Sequence, residues 1–308
     1  MLTSFFESLG EDLSKKWLER LFGPAFLFWA GGLLLWLASQ NLSARWDELT
    51  ALPPVTQAAL LIAALLLLAA SDRLGEALSF SVLRFLEGYW GWPLRWLAAW
   101  RVHQRQKDEQ RARQRQSSLL LKQDEGTLTA AERRELARLE ARRRYTPRDL
   151  DNLAPTRLGD ILRTAETRPR QRYGLDPLLL WPHLWLLLPE SIRAELGSAR
   201  ARLDRLAQAW LWGLLFALWS FVWPWARVIA LAWMGLAYAL LLQAAAVFCD
   251  LVLAAFDTQR WRLYEALRWP LPAQSGEAEI ASGQALTRFL QRGMTDHPIR
   301  FSSGKRIP

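Results

Sequence analysis

Among the charged and phenolic side chains that crowd into twenty residues of this chain, eight stand out as able to recognise an anion or to neutralise one another: Arg157, Asp160, Glu166, Arg168, Arg170, Arg172, Tyr173 and Asp176. Arg168, Arg170 and Arg172 alternate along the backbone just before a Tyr173-Gly174 turn. Guanidinium groups form forked, charge-assisted hydrogen bonds with phosphate and carboxylate oxygens. Two kinds of chemistry fit this pattern. The arginines could hold a lipid phosphate or a soluble anionic ligand, or they could pair with Asp160 and Glu166 in a structural network that locks the segment. The surrounding stretch Arg157–Glu190, RLGDILRTAETRPRQRYGLDPLLLWPHLWLLLPE, lies between two strongly apolar regions, and we read it as the hub of a cytoplasmic domain.

Other chemistry is poorly supported. The single cysteine, Cys249, allows no intrachain disulfide and no cysteine-built zinc or iron–sulfur site, and the three histidines are scattered. No Gly-rich phosphate loop follows a strand; Ser303-Gly-Lys-Arg306 is a fragment near the end of the chain. Serine and histidine never fall into a triad-like arrangement. Carboxylates are interspersed among arginines, where ion pairing is the default. Catalysis, a metal and a cofactor are therefore not expected. Ion-coupled transport is also disfavoured, because such carriers keep an ionisable group at mid-membrane. Here Asp72 and Asp250 sit at the ends of apolar tracts, and Gln243, the main polar group inside one, is expected to face a neighbouring helix.

The elements around the hub are those of a membrane protein. The chain has 308 residues, 18 tryptophans and a net charge of +9. Trp29, Trp36, Trp210, Trp212, Trp219, Trp223, Trp225 and Trp233 lie in or beside apolar tracts, and Trp90, Trp92, Trp96, Trp100, Trp261 and Trp269 follow them, as in interfacial aromatic belts. Four spans are expected at Leu21–Ser39, Val55–Ser71, Ala207–Trp225 and Val228–Phe248. They form two hairpins, the second closed by a Pro224-Trp-Ala-Arg227 corner. Ala232, Gly235 and Ala239, and likewise Gly31-Gly32, supply small faces for helix contacts within the chain or between copies. The links between spans carry only Arg45 and Arg227, whereas the middle segment carries more than twenty-five basic residues. Positive-inside asymmetry thus places both termini and the middle segment in the cytoplasm. The first twenty residues read as an interfacial amphipathic helix, not a cleavable signal.

In the middle segment a basic helix is expected over 101–123, broken at Gly126. A Thr129-Ala-Ala-Glu132 capping box starts a second helix that ends near Tyr145. This arm is a solvated hairpin or a docking surface for acidic partners or RNA. Thr156 or Pro155 starts a helix running to about Glu166, which the proline-containing RPRQRYGLDP then breaks. PLLLWPHLWLLLP is too short to span and should be buried or interfacial. Ser191–Gln208 should continue into the third span, and a short helix should return at Gly283–Arg292. An internal repeat is also visible: Arg84-Phe-Leu-Glu87 before Trp92-Pro-Leu94 matches Arg262-Leu-Tyr-Glu265 before Trp269-Pro-Leu271, each pair able to bridge on one helix face.

The runs RLGDILRTAE, RYGLDPLLLWPHLW and AAFDTQRWRLYEALRWPLP resemble those of a bacterial multi-pass inner-membrane protein family, of uncharacterised function, that carries an RYGLDxxxxWPxLW motif. The resemblance covers roughly Pro155 to Gly293 and implies an inner-membrane setting, with no catalytic residues attached. The expected organisation is all-α: an amphipathic helix (1–20), a first hairpin (21–71), a cytoplasmic helical domain (72–206), a second hairpin (207–248) and a cytoplasmic C-terminal helix and tail (249–308). The expected role is a non-enzymatic sensor, scaffold or effector whose hub receives a cytoplasmic protein partner or an anionic ligand. The alternative is a homo-oligomeric pore, for instance in stress or phage defence. Anionic lipid at the cytoplasmic face is the expected partner, and nucleic acid is not.

Overall fold

The computed structural model describes residues 23–38 and 53–293, and among these the chain is wholly helical. The expected amphipathic helix of the first twenty residues, the link around Arg45 and the polar tail lie outside the described residues. The helices are α1 (Pro24–Ala38), α2 (Pro54–Glu87), α3 (Arg95–Asp124), α4 (Ala130–Arg144), α5 (Arg157–Tyr173), α6 (Pro177–Leu187), α7 (Glu190–Phe216), α8 (Ala226–Ala266) and α9 (Glu277–Arg292).

Among the described residues two helices, α2 and α8, are long and apolar enough to cross a membrane. Only 6% and 39% of their most apolar windows are buried, so neither is packed as a soluble core helix would be. Of the first expected span, the described helix α1 covers Pro24–Ala38, 15 residues or about 22 Å at 1.5 Å per residue, and residues 21, 22 and 39 lie outside the described ones. The expected span Ala207–Trp225 is not one α-helix. Helix α7 stops at Phe216 and a 3₁₀ segment, Ala217–Phe221, follows. Pro224 ends this stretch: it has no N–H for the Ser220 carbonyl and disfavours helical geometry at Trp223.

By packing, the chain forms two compact units: Met1–Leu83 with Arg202–Leu241, and Arg84–Ala201 with Leu242–Pro308. In the first unit, indoles and small residues interlock. Trp29 Nε1 donates to Ser71 Oγ at 3.1 Å, Trp233 Nε1 to the Ala209 carbonyl at 2.9 Å, and Gln208 Nε2 to the Asp72 carbonyl at 3.3 Å. Phe28 packs on Trp212 and Trp219, with ring centroids 5.2 and 5.9 Å away. Gly32 lies so close to the Trp219 ring that a Cβ would come within 1.9 Å of it, so this glycine serves packing within the chain. Ala232, Gly235 and Ala239 are exposed instead.

In the second unit the core is built from leucines of the hub and one side of α8: Leu158, Leu175, Leu180, Leu184, Phe256, Leu263 and Tyr264 are all fully buried. Helix α4 begins as its sequence dictates. Thr129 Oγ1 accepts from the Glu132 N–H at 3.3 Å, and Glu132 Oε2 accepts from the Thr129 N–H at 3.0 Å. Thr156 caps α5 through the Gly159 N–H at 3.1 Å. The expected break after Glu166 does not occur. Helix α5 runs through the buried Pro169 to Tyr173 and ends at Gly174, whose φ of +72° closes it. Burial of one face of the helix outweighs the single backbone bond that Pro169 cannot make.

Helix α9 starts at Glu277, six residues before the expected Gly283. Gly283 sits mid-helix because α9 meets the end of α5 there, and a Cβ would lie 2.0 Å from the Tyr173 carbonyl oxygen. The repeated Arg–Glu pairs also diverge. Arg84 approaches Glu87 at 3.9 Å, whereas Arg262 donates to the Leu187 carbonyl at 3.1 Å. The two helix ends do share a closure, Tyr89 N–H to the Arg84 carbonyl and Trp269 N–H to the Tyr264 carbonyl, at 3.1 and 2.7 Å. Gln243, expected against a neighbouring helix, is exposed on α8.

Candidate functional site

Two Arg-Tyr dipeptides close two helices of the second unit, and both reach the same face of α8. Arg144 and Tyr145 end α4; Arg172 and Tyr173 end α5. Arg144 Nη2 donates to Asp250 Oδ2 at 3.1 Å and the Tyr145 hydroxyl donates to the same oxygen at 2.8 Å. One step along α8, Arg172 Nη1 donates to Asp257 at 3.3 Å and the Tyr173 hydroxyl at 2.5 Å. Asp250 and Asp257 are seven residues apart, so at 3.6 residues per turn they point the same way from consecutive pairs of turns. A guanidinium near a helix C-terminus is itself favoured by the exposed carbonyls there.

Between these clamps lies a cleft of about 250 Å³ lined by Arg144, Arg168, Arg172, Tyr173, Asp250 and Asp257, over Pro169, Leu253 and Ala254. Arg168 differs from its two neighbours. It donates to the Arg144 backbone carbonyl at 2.6 Å, and among the described residues no carboxylate lies within bridging distance of it. Burial lowers its affinity for a proton, and the charges of Arg148 and Arg144 act in the same direction. An arginine nevertheless stays cationic. Three guanidiniums thus face two carboxylates, an arrangement that leaves one positive charge for an incoming anion.

Burial also raises the phenol of Tyr173 to about 12, with the Asp257 hydrogen bond as the next cause. Tyr145 is shifted upward for the same reasons, with Asp250 as its partner. Both phenols therefore remain proton donors, not anions, at neutral pH. The Arg260 guanidinium stacks 4.1 Å from the Tyr173 ring centroid and also bonds Glu279 at 2.8 Å, which fixes the ring between α8 and α9.

Of the eight residues singled out by sequence, the structure brings Arg168, Arg172 and Tyr173 together in this cleft and places the others elsewhere. Asp160 is fully buried, bonded to Arg105 and, at 2.7 Å, to the Ala154 N–H. Its burial raises its pKa against the lowering effect of Arg105. Asp176 caps α6 through the Leu178 N–H at 3.0 Å, with Arg170 at 3.9 Å. Arg157 is exposed on the first turn of α5. Glu166 belongs to a separate group with Glu87, Arg84 and Arg163, in which burial raises both carboxylates. Asp160 is thus structural, and its partner is Arg105, not one of the hub arginines.

Sequence reasoning missed Arg144, Tyr145, Asp250 and Asp257. The signal was present: two Arg-Tyr dipeptides, one at a predicted helix end and one just before the Gly174 turn, and two aspartates one heptad apart just beyond an apolar tract. Among the described residues no group of three or more His, Cys, Asp or Glu side chains could hold a metal ion. No family model, curated protein or solved structure matches the chain.

Proposed function

We propose that this chain is a bacterial inner-membrane protein with four apolar segments, N-in and C-in, and that it acts as a non-enzymatic sensor or scaffold by binding an oxyanion in the Arg144–Arg168–Arg172 cleft. The observation that carries the reading is Arg168, a guanidinium held in a polar cleft without a carboxylate of its own. The cleft's α8 wall begins at Asp250, two residues after the apolar stretch closes at Phe248. A phosphoryl group could reach it there either from a lipid headgroup or from solution. The continuous α7, Glu190–Phe216, offers a rigid element through which the hub could act on the third apolar segment.

Calorimetric titration of inorganic phosphate into the nanodisc-embedded protein tests this reading. In zwitterionic lipid we expect binding that Arg168→Gln weakens about 10- to 100-fold, the equivalent of losing one charged hydrogen-bonding group. If anionic lipid in the disc abolishes the phosphate signal, the headgroup is the occupant; if the signal persists, the ligand is soluble. Identical titrations for wild type and variant would end the proposal.

A second reading, a homo-oligomer that permeabilises the membrane, is favoured by Gln243. This amide is exposed on α8, one of the two described helices apolar enough to cross a membrane, and a polar side chain within a bilayer tends to bond across to another helix. The mass of the nanodisc complex, taken with ion flux from liposomes, distinguishes the two. A closed ring that leaks, and that dissociates in Gln243→Leu, would replace the scaffold reading.

A further inference from the structure

The first turns of α3 expose three indoles. Trp92, just before the helix, is 89% exposed, and Trp96 and Trp100 are 69% and 52% exposed. At 100° per residue Trp96, Trp100, His103, Lys107 and Arg111 fall within about 80° of one another on α3. All five are exposed. The opposite side of the helix holds its packed residues: Glu109, Gln116 and Leu119 are buried there, and Arg105 bonds Asp160. The exposed stripe therefore begins aromatic and ends cationic, and Arg95 and Arg101 lie off it, about 120° from its centre on either side. Arg111 is loosely paired with Asp108 at 3.9 Å.

We propose that this stripe is a membrane-docking surface, seated in the headgroup zone of an anionic bilayer, with the indoles at the acyl boundary and Lys107 and Arg111 on lipid phosphates. Two features of the stripe select this occupant. Indole is the side chain that favours the interface, being apolar over its ring and polar at its N–H. The cations complement an anionic lipid surface, where each contributes about 1 kcal/mol. An ordinary amphipathic helix would alternate its apolar and charged residues around the axis. This one separates them along the axis, the pattern expected when one end is drawn to the acyl boundary and the rest stays among headgroups.

The inference rests on the membrane reading above, and its test separates the two. Spin labels are placed singly at Trp96→Cys, Leu61→Cys and Arg138→Cys in the full chain reconstituted in nanodiscs containing anionic phospholipid. Cys249 is fully buried and stays in place. Accessibility to oxygen and to a polar nickel chelate reports depth. We expect Leu61 in hydrocarbon, Arg138 in water and Trp96 between them at the headgroup boundary. Trp96 reading like Arg138 while Leu61 remains in hydrocarbon would overturn the docking surface and leave the membrane reading standing. Exclusion of both reagents at Trp96 would show protein covering it, either an acidic partner or a second copy, and would equally overturn the proposal. An aqueous Leu61 would remove the membrane reading and the inference with it.

Discussion

The Tyr173 hydroxyl donates to Asp257 Oδ1 at 2.5 Å, joining the end of α5 to the middle of α8 across 84 residues of sequence. Removing that donor leaves Asp257 with Arg172 alone. Tyr173→Phe should cost about 1.5 kcal/mol, the lower end for a hydrogen bond to a charged group, because Asp257 remains partly solvated. Denaturant unfolding followed by near-UV circular dichroism measures it, and an unchanged midpoint would show that the bond contributes nothing.

The same phenol sets an alkaline limit. Burial, then Asp257, raises Tyr173 from 10.0 to about 12. A folded-state pKa above the unfolded value means stabilisation that is complete below pH 10 and lost as pH climbs through 12. Wild type should lose more stability across that interval than Tyr173→Phe does. Parallel curves would place the raised phenol elsewhere.

In acid, two sets of carboxylates oppose each other. Burial raises Glu87 and Glu166 above 4.5, so their contribution is full below that pH and falls as pH rises through their folded values. Glu132 behaves oppositely. Its hydrogen bonds from Lys122 and Thr129 hold it at about 2, so its contribution is lost as pH falls from 4.5 through 2. Glu87→Gln should flatten the gain in stability seen on acidification from pH 7 to 5. A steeper gain in the variant would reverse the assignment.

Gly283 permits the contact between α9 and the end of α5. A methyl group there would meet the Tyr173 carbonyl at 2.0 Å, and the backbone around Gly174 leaves little room to retreat. Gly283→Ala should destabilise by about 1–3 kcal/mol, as overpacking does, and should expose α9 to limited proteolysis first. Gly293→Ala, with open space around it but a φ of +70°, provides a control for backbone strain alone. Equal proteolysis of the two would dissociate the effect from the close approach.

Asp160 and Arg105 are held together with the Ala154 N–H completing the carboxylate's bonds. Asp160→Ala strands a half-buried guanidinium and should cost about 3 kcal/mol. Adding Arg105→Met should recover much of the loss, because the stranded charge goes with it. Thermal unfolding of the single and double variants decides the matter, and additive losses would argue against a pair.

How much of this was legible in the sequence depended on distance along the chain. The Thr129–Glu132 capping box, the Thr156 cap and the Gly126 break are local hydrogen-bonding patterns, and each appears where its residues dictate. The hub arginines were visible as a group, but their partners were not. Asp250 and Asp257 lie 105 and 84 residues from the tyrosines that bond them, and no local rule links such positions. Asp176 was misread because a carboxylate before proline serves equally as a helix cap and as a ligand, and only the Leu178 N–H distinguishes them. Pro169 misled for a related reason: propensity places a break there, whereas the buried face of α5 carries the helix through.

The two clamps on α8 have a mechanical consequence. One anchor on a rod leaves it free to pivot; two anchors on one face, about 10 Å apart along the axis, fix its roll. Asp250 and Asp257 are such anchors, each gripped by a guanidinium and a phenol. An anion drawn between Arg144, Arg168 and Arg172 would compete with both aspartates for their guanidiniums at once. Occupancy of the cleft would then be expressed as torque on α8, and releasing a single clamp would leave a hinge where there had been a lock.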